Sequence, residues 1–255
     1  MQTENGEGQV KFRQREFKGS RFRCLLATSL PPPRFVEWLN SLIRPFAEIS
    51  ENDRHMPAGF RRPEEAKLSE IPAFLSEQNR KALTEWWLGD PAAAANTPNW
   101  DFVSTCRVEG QDGLALFEAK AHEGELKTDD RYGARGVAHR ERISAAIEEV
   151  RAALGDGWSP SSERCYQLSN RFAWAWKVAS LGVPVALVYL GFLNAVEMPQ
   201  AFQDRAGWER CLLTYADGTV PRDAWERKVM IGGVPLIPLI RSADVNVVAK
   251  YNLTP

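Results

Sequence analysis

The chain has 255 residues, of which 44% are apolar and 25% are charged, so it is long enough for one large domain or two small ones with a hydrophobic core. The formal net charge is -1, which excludes a protein held to nucleic acid by bulk positive charge alone. The four cysteines are far apart and form no C-x-x-C pair, which argues against a disulfide framework and a structural zinc.

The N-terminal residues contain no apolar segment of the kind found in secretory signals, so we expect a cytoplasmic location. The most apolar stretch, residues 172–193, contains Lys177, Gly182 and Pro184. These residues are unfavourable in a membrane span, and we interpret the stretch as a helix followed by a buried strand. No membrane partner is expected.

Residues 1–72 are predicted to form an N-terminal extension packed on the core. Its first 23 residues are rich in Lys and Arg, which indicates either a solvated tail leading into a first strand or helix, or an arm that contacts phosphates. Pro33 can occupy the first turn of a helix whose apolar residues, from Phe35 to Ile43, share one face. Residues 51–72 contain three prolines and no sustained period, so they indicate a loop.

Residues 73–255 are predicted to form the core with C-terminal additions. Helices are expected over 73–88, 138–154 and 161–181, the last with Ser161 or Ser162 as N-cap. A β-hairpin is predicted by the sequences WDFVSTCRV and LALFEAKA, which flank the turn residues EGQDG. A strand buried on both faces is predicted by VPVALVYLGFL. An edge strand is predicted by VPLIPLI, because it contains Pro238. This order of elements favours an α/β sandwich with a mixed sheet.

Glu118 and Lys120 carry the strongest chemical signal. Five acid-x-lysine triplets occur in the chain, but only this one ends an apolar strand, where residues two apart point to the same face. A hairpin folded about Gln111 and Asp112 would place Asp101 near Ala121, within diagonal reach of Lys120. Two carboxylates with a lysine are a composition suited to Mg²⁺, which prefers oxygen ligands.

These residues resemble the PD-(D/E)XK nuclease superfamily, whose members have the restriction-endonuclease-like fold. The resemblance is carried by Pro98, Asp101, Glu118, Ala119 and Lys120, together with the helix and buried strand that follow, and covers roughly residues 73–195. The hairpin segment is also similar to uncharacterised bacterial proteins placed in that superfamily. The resemblance implies that Asp101, Glu118 and the Ala119 carbonyl bind Mg²⁺ or Mn²⁺, and that Lys120 orients or deprotonates the attacking water.

The superfamily often adds an acid from the helix before the hairpin and a polar residue from the helix after it. Glu85 is the candidate acid, with Glu77 as its competitor, and Gln167 is the candidate polar residue. Each is also explained as a solvated helix residue. The metal site would be extended by His122, Glu123, Glu125, Asp129 and Asp130, which are also explained as a solvated loop. A phosphate-contacting rim would be formed by Arg131, Arg135, Arg140 and Arg142, which are also explained as a charged helix face.

The function expected from this sequence is that of a divalent-metal-dependent nuclease hydrolysing phosphodiester bonds, with DNA as its partner. Two alternatives stay open. The first is a non-catalytic module on the same fold that binds nucleic acid or protein. The second is a metal hydrolase acting on a small molecule, which suits the near-neutral charge of the chain better than a DNA enzyme does. The sequence does not distinguish DNA from RNA, and it leaves the oligomeric state open, a homodimer included.

Overall fold

The computed structural model describes residues 18–89, 97–127 and 137–245. The helices are α1 (Gly19–Thr28), α2 (Pro32–Ile43), α3 (Glu77–Leu88), α4 (Glu123–Lys127), α5 (Val137–Leu154), α6 (Tyr166–Ser180) and α7 (Arg205–Ala216). The strands are β1 (Ala47–Glu48), β2 (His55–Met56), β3 (Phe102–Val108), β4 (Gln111–Lys120), β5 (Val185–Leu193), β6 (Val229–Ile231) and β7 (Val234–Asp244). Short 3-10 turns lie at Gly59–Arg61 and Arg222–Ala224.

The strands form one mixed sheet in the order β1-β3-β4-β5-β7-β6, and β2 pairs with β3 as well. Strands β4, β5 and β7 are parallel neighbours, whereas the pairings at both ends of the sheet are antiparallel. Strand β5 lies inside the sheet and is buried along nearly all its length, which confirms the predicted central strand. The architecture is α/β, with a mixed sheet flanked by helices.

Helices cover both faces of the sheet, and the alternation of side chains along β5 shows how. Val185, Leu187 and Tyr189 belong to a large apolar cluster that includes residues of α3, α5, α6 and α7. Ala186 and Val188 point the other way, into a second cluster that includes residues of α2. Because successive side chains of a strand alternate between faces, this division separates two layers of helices with the sheet between them.

The β3–β4 hairpin is present as predicted, but its predicted register is wrong by three residues. The turn is Glu109-Gly110, with φ values of 51° and 81°, and Phe102 pairs with Phe117. A two-residue hairpin turn needs a positive φ at both central positions, which favours glycine at the second. Gly113 lies inside β4 instead, where a Cβ would come within 2.6 Å of the Pro184 carbonyl oxygen.

The helix predicted from Ser161 to Leu181 begins later, at Tyr166. Its N-cap position is Cys165 in a left-handed conformation, and no side chain caps the helix there. The Ser161 hydroxyl accepts a hydrogen bond from the Glu163 N–H at 3.1 Å, so this serine forms a local turn and is not a cap. The predicted end before Gly182 is confirmed, as is helix α5.

Strand β7 is not an edge strand, which corrects the prediction made from Pro238. Strand β6 pairs with Val234–Leu236, and Pro238 lies beyond that pairing, where its carbonyl accepts the Glu226 N–H at 2.8 Å. At the other end of the sheet, β1 and β2 come from the first 72 residues and pair with β3. Within the described ranges, none of the helices is both long and apolar enough to cross a membrane.

Candidate active site

Asp101, Glu118 and Lys120 meet at a polar cleft of about 700 Å³, as the sequence predicted. Asp101 lies directly before β3, whereas Glu118 and Lys120 are the last residues of β4 on one face. The start of α1, the segment around residues 65–67, residues 97–99 and the first turns of α6 form the walls. The cleft is lined by Ser20, Arg21, Glu65, Lys67, Thr97, Pro98, Asn99, Asp101, Glu118, Lys120, Tyr166, Gln167, Asn170 and Arg171.

Glu118 is a buried carboxylate, only 1% exposed, with a cation on each oxygen. Oε1 accepts a hydrogen bond from Lys120 Nζ at 2.7 Å, and Oε2 accepts one from Arg171 Nε. Burial alone would raise the pKa of Glu118, but the charges of Arg171 and Lys120 outweigh burial and lower this pKa below its ordinary value. Glu118 is therefore ionised at neutral pH.

Lys120 is 5% exposed, and its pKa is raised. Burial acts to lower this pKa, but the negative charges of Glu118 and Asp101 prevail and stabilise the ammonium form. Lys120 is thus a cation at neutral pH.

Asp101 directly precedes Phe102, whose partner Phe117 directly precedes Glu118, so the two carboxylates lie at the same end of the β3–β4 pair. Its Oδ2 accepts the Ala119 N–H at 2.8 Å. Burial, followed by the charge of Glu118, raises the pKa of Asp101 to about 8. The two carboxylates are close enough that the ionisation of one opposes the ionisation of the other.

Glu65 adds a third carboxylate to the same row. Ala66 and Trp100 form an isolated antiparallel bridge, with hydrogen bonds of 3.2 and 2.9 Å between their backbones. Glu65 and Asp101 are the chain neighbours of this bridge, both line the cleft, and the charge of Glu65 also raises the Asp101 pKa. Glu65, Asp101 and Glu118 therefore lie side by side on three adjacent segments.

The two ends of this acidic row have cations of their own. Arg21 lies 3.8 Å from Glu65, and Lys120 and Arg171 bind Glu118. Asp101 lies between two acids, and its hydrogen bond to the Ala119 N–H brings no formal charge. Asp101 consequently holds its proton more tightly than an ordinary aspartate does, as its raised pKa shows.

The donor atoms around Asp101 fit Mg²⁺ or Mn²⁺. The N–H and C=O of one strand residue point to the same side of the strand. The Ala119 N–H donates to Asp101, so the Ala119 carbonyl also points to the Asp101 side. Asp101, Glu118 and this carbonyl have oxygen atoms of the type that a hard divalent ion accepts as ligands. Within the described ranges, no group of three or more His, Cys, Asp or Glu side chains is placed to hold a metal ion. This is compatible with Mg²⁺, which commonly uses one or two carboxylates and keeps several waters.

Gln167 lines the same cleft from the first turn of α6. Glu85 does not reach it. Its side chain is 45% exposed on α3 and lies 3.8 Å from Lys81, because the buried face of that helix is formed by other residues, including Trp86 and Trp87. The structure therefore places Gln167, but not Glu85, beside the carboxylates.

The other acidic and basic candidates lie elsewhere. His122 Nδ1 accepts the Gly124 N–H at 3.2 Å, and this histidine does not line the cleft. Glu125 accepts hydrogen bonds from Ala121 and from the backbone and hydroxyl of Ser20, so it fixes the start of α1. Exposed positions on α5 are occupied by Arg140 and Arg142. The residues Asp129, Asp130, Arg131 and Arg135 lie outside the described residues.

Arg171 and Glu65 are the principal site residues that sequence analysis did not select. Arg171 follows Gln167 by four positions on α6, so the helical period already placed both on one face. Glu65 lies in a segment without any period, and only its pairing beside Trp100 brings it to Asp101. Compared with known proteins, the chain matches no family model, no curated protein and no solved structure.

Proposed function

We propose that this protein is a divalent-metal-dependent nuclease with a restriction-endonuclease-like core, and that it hydrolyses phosphodiester bonds, with DNA as the expected substrate. The observation that carries the proposal is the convergence of Asp101, directly before β3, and Glu118, near the end of β4, with a protonated Lys120 in one polar cleft. The hairpin, the parallel strand β5 and the helix α6 beside it agree with the resemblance seen in the sequence.

The carboxylates of Asp101 and Glu118, with the Ala119 carbonyl, would hold the ion. When bound, Mg²⁺ supplies Lewis-acid stabilisation of phosphate charge and makes water a better nucleophile. Lys120 donates hydrogen bonds that orient the attacking water, and its fixed charge stabilises the negative charge that develops on phosphate. Gln167 lines the cleft at the start of α6, and its amide would donate a hydrogen bond to a phosphate oxygen.

The charges of the cleft favour an anionic substrate once a divalent ion is present. Its lining includes four cationic side chains, Arg21, Lys67, Lys120 and Arg171, against three acidic ones. A divalent ion at Asp101 would make the cleft clearly positive. A phosphodiester carries one negative charge at neutral pH and would be attracted into that field.

Two observations also fit the alternative functions, a non-catalytic module and a small-molecule hydrolase. Both oxygens of Glu118 already have cationic partners, as expected if the cluster only stabilised a non-catalytic module. The cleft volume of about 700 Å³ lies in the range typical of small-molecule sites, which suits a small-molecule hydrolase.

The test is incubation of the purified protein with circular and linear DNA in Mg²⁺ or Mn²⁺, with EDTA as the blank. Lys120→Met removes the charge and keeps the length of the side chain, and Lys81→Met is its control because Lys81 is exposed on α3. We expect metal-dependent cleavage that Lys120→Met lowers by roughly a hundredfold or more and Lys81→Met leaves unchanged.

Binding of DNA without cleavage in either metal would support the non-catalytic module. Hydrolysis of bis(p-nitrophenyl) phosphate without cleavage of DNA or RNA would support the small-molecule hydrolase. Either result would reject the nuclease proposal.

A further inference from the structure

Arg171 joins three parts of the cleft. Its Nε donates to Glu118 Oε2, its Nη2 donates to the Asn99 carbonyl at 2.8 Å, and its guanidinium lies 4.9 Å from the centre of the Trp100 ring. The residue is only 8% exposed. A side chain of α6 thus connects the end of β4 to the segment that leads into Asp101.

This geometry gives Arg171 control over the position of Glu118. The planar guanidinium has donors in fixed directions, so two of its bonds to separate partners define where the carboxylate lies. Lys120 holds the other oxygen of Glu118 with a more flexible side chain. Loss of Arg171 would leave Glu118 bound from one side only.

Arg171 also places a permanent positive charge beside the acid pair, since a guanidinium does not lose its proton in proteins. Two like charges repel, and in a partly buried cleft the repulsion is weakly screened. A divalent ion at Asp101 and Glu118 would therefore bind less tightly with Arg171 present than without it. A bound phosphate group, being negative, would offset this repulsion.

We infer that Arg171 is a positioning residue that holds Glu118 and, by its charge, keeps the affinity of the free protein for divalent ions low, so that metal and phosphodiester bind cooperatively. This inference rests on the proposed function. A merely structural arginine predicts the opposite sign for its removal, because a loosened Glu118 would bind the ion more weakly.

The experiment is calorimetric titration of the full chain with Mn²⁺ alone, for wild type, Arg171→Gln and Arg171→Lys. Removing the charge in Arg171→Gln should tighten Mn²⁺ binding by roughly tenfold or more. Arg171→Lys keeps the charge and loses the fork of donors, so its Mn²⁺ affinity should stay within about threefold of wild type while DNA cleavage falls by roughly tenfold. Arg151→Gln, at an exposed position of α5, is the control and should change neither quantity.

Unchanged or weaker Mn²⁺ binding by folded Arg171→Gln overturns the inference and leaves the proposed nuclease function standing. If Arg171→Gln does not fold, the result for Arg171→Lys is decisive. Wild-type DNA cleavage by Arg171→Lys would overturn the inference, and so would Mn²⁺ binding more than about tenfold weaker than that of wild type. Absence of Mn²⁺ binding by both the wild type and folded Arg171→Gln, together with absence of metal-dependent DNA cleavage by the wild type, overturns both this inference and the proposed function.

Discussion

Asp101 should make the protein less stable as the pH rises, and Asp101→Asn should remove that dependence. The pKa of Asp101 in the folded protein is about 8, against an ordinary value of 3.8. Below both values the residue is protonated in the folded and unfolded states and has no effect. Between them the unfolded chain releases this proton and the folded protein keeps it, so the free energy of unfolding falls with increasing pH.

The magnitude follows from the shift. One pKa unit corresponds to about 1.4 kcal/mol, so a rise from 3.8 to about 8 sets an upper limit of several kcal/mol. Asp101 is half-buried, and solvent screening reduces the effect. We therefore expect wild type to lose about 2 kcal/mol relative to Asp101→Asn between about pH 5 and pH 8. The asparagine carbonyl can still accept the Ala119 N–H, so the variant removes the charge and preserves this hydrogen bond.

The assay is urea unfolding followed by tryptophan fluorescence at several pH values across that range, with EDTA present so that no divalent ion competes for Asp101. Groups that titrate in both proteins cancel in the difference between their free energies of unfolding. A difference that stays constant with pH would refute the reasoning, because it would mean that Asp101 has the same pKa folded and unfolded.

Four further substitutions test separate parts of the structure. Lys120→Met should keep Mn²⁺ binding, measured by calorimetry on the same preparation, while DNA cleavage falls by roughly a hundredfold or more, and loss of both would contradict its assigned role. Glu118→Gln should lower the free energy of unfolding by about 3 kcal/mol because it leaves two buried cations without their counter-charge, and an unchanged urea midpoint would argue against this buried network. Ser76→Ala should cost about 1 kcal/mol in the same assay, since its hydroxyl caps α3 at the Asn79 N–H, and no loss would show that the cap contributes nothing. Gly191→Ala should destabilise by about 1 to 3 kcal/mol because the added Cβ would lie 2.5 Å from the Trp208 ring, and a neutral result would mean that this ring moves freely.

The sequence predicted the elements whose signal is local. Strand β5 is a continuous apolar run bounded by Pro184, and helix α5 has apolar residues at helical spacing, so both were found close to their true limits. The convergence of Glu118 and Lys120 followed from the two-residue period of a strand alone. These features depend on neighbours in the sequence, which is why the pattern was sufficient.

Features set by distant pairing were not predictable in the same way. The hairpin register was predicted from a turn at Gln111 and Asp112, whereas the turn is at Glu109-Gly110, and the close packing of Pro184 against Gly113 exists only in the folded sheet. Glu65 and Arg21 come from segments without a period, and they reach the cleft through the Ala66–Trp100 bridge and the anchored start of α1. Such contacts join residues far apart in the chain, so no local pattern reports them.

The arrangement of charges explains why the candidate site and the unfavourable part of the fold coincide. Strand pairing aligns Glu65, Asp101 and Glu118, and a row of like charges on adjacent segments is unfavourable unless cations neutralise it. The chain supplies cations at both ends of the row, but at its centre Asp101 lies between two acids and holds its proton more tightly instead. A group that a fold does not need for stability, and that lies in an accessible cleft, is a candidate for binding or catalysis. If the proposed metal occupies this position, Mg²⁺ should raise the free energy of unfolding of wild type more at pH 8 than at pH 6, because at the lower pH it must displace the Asp101 proton.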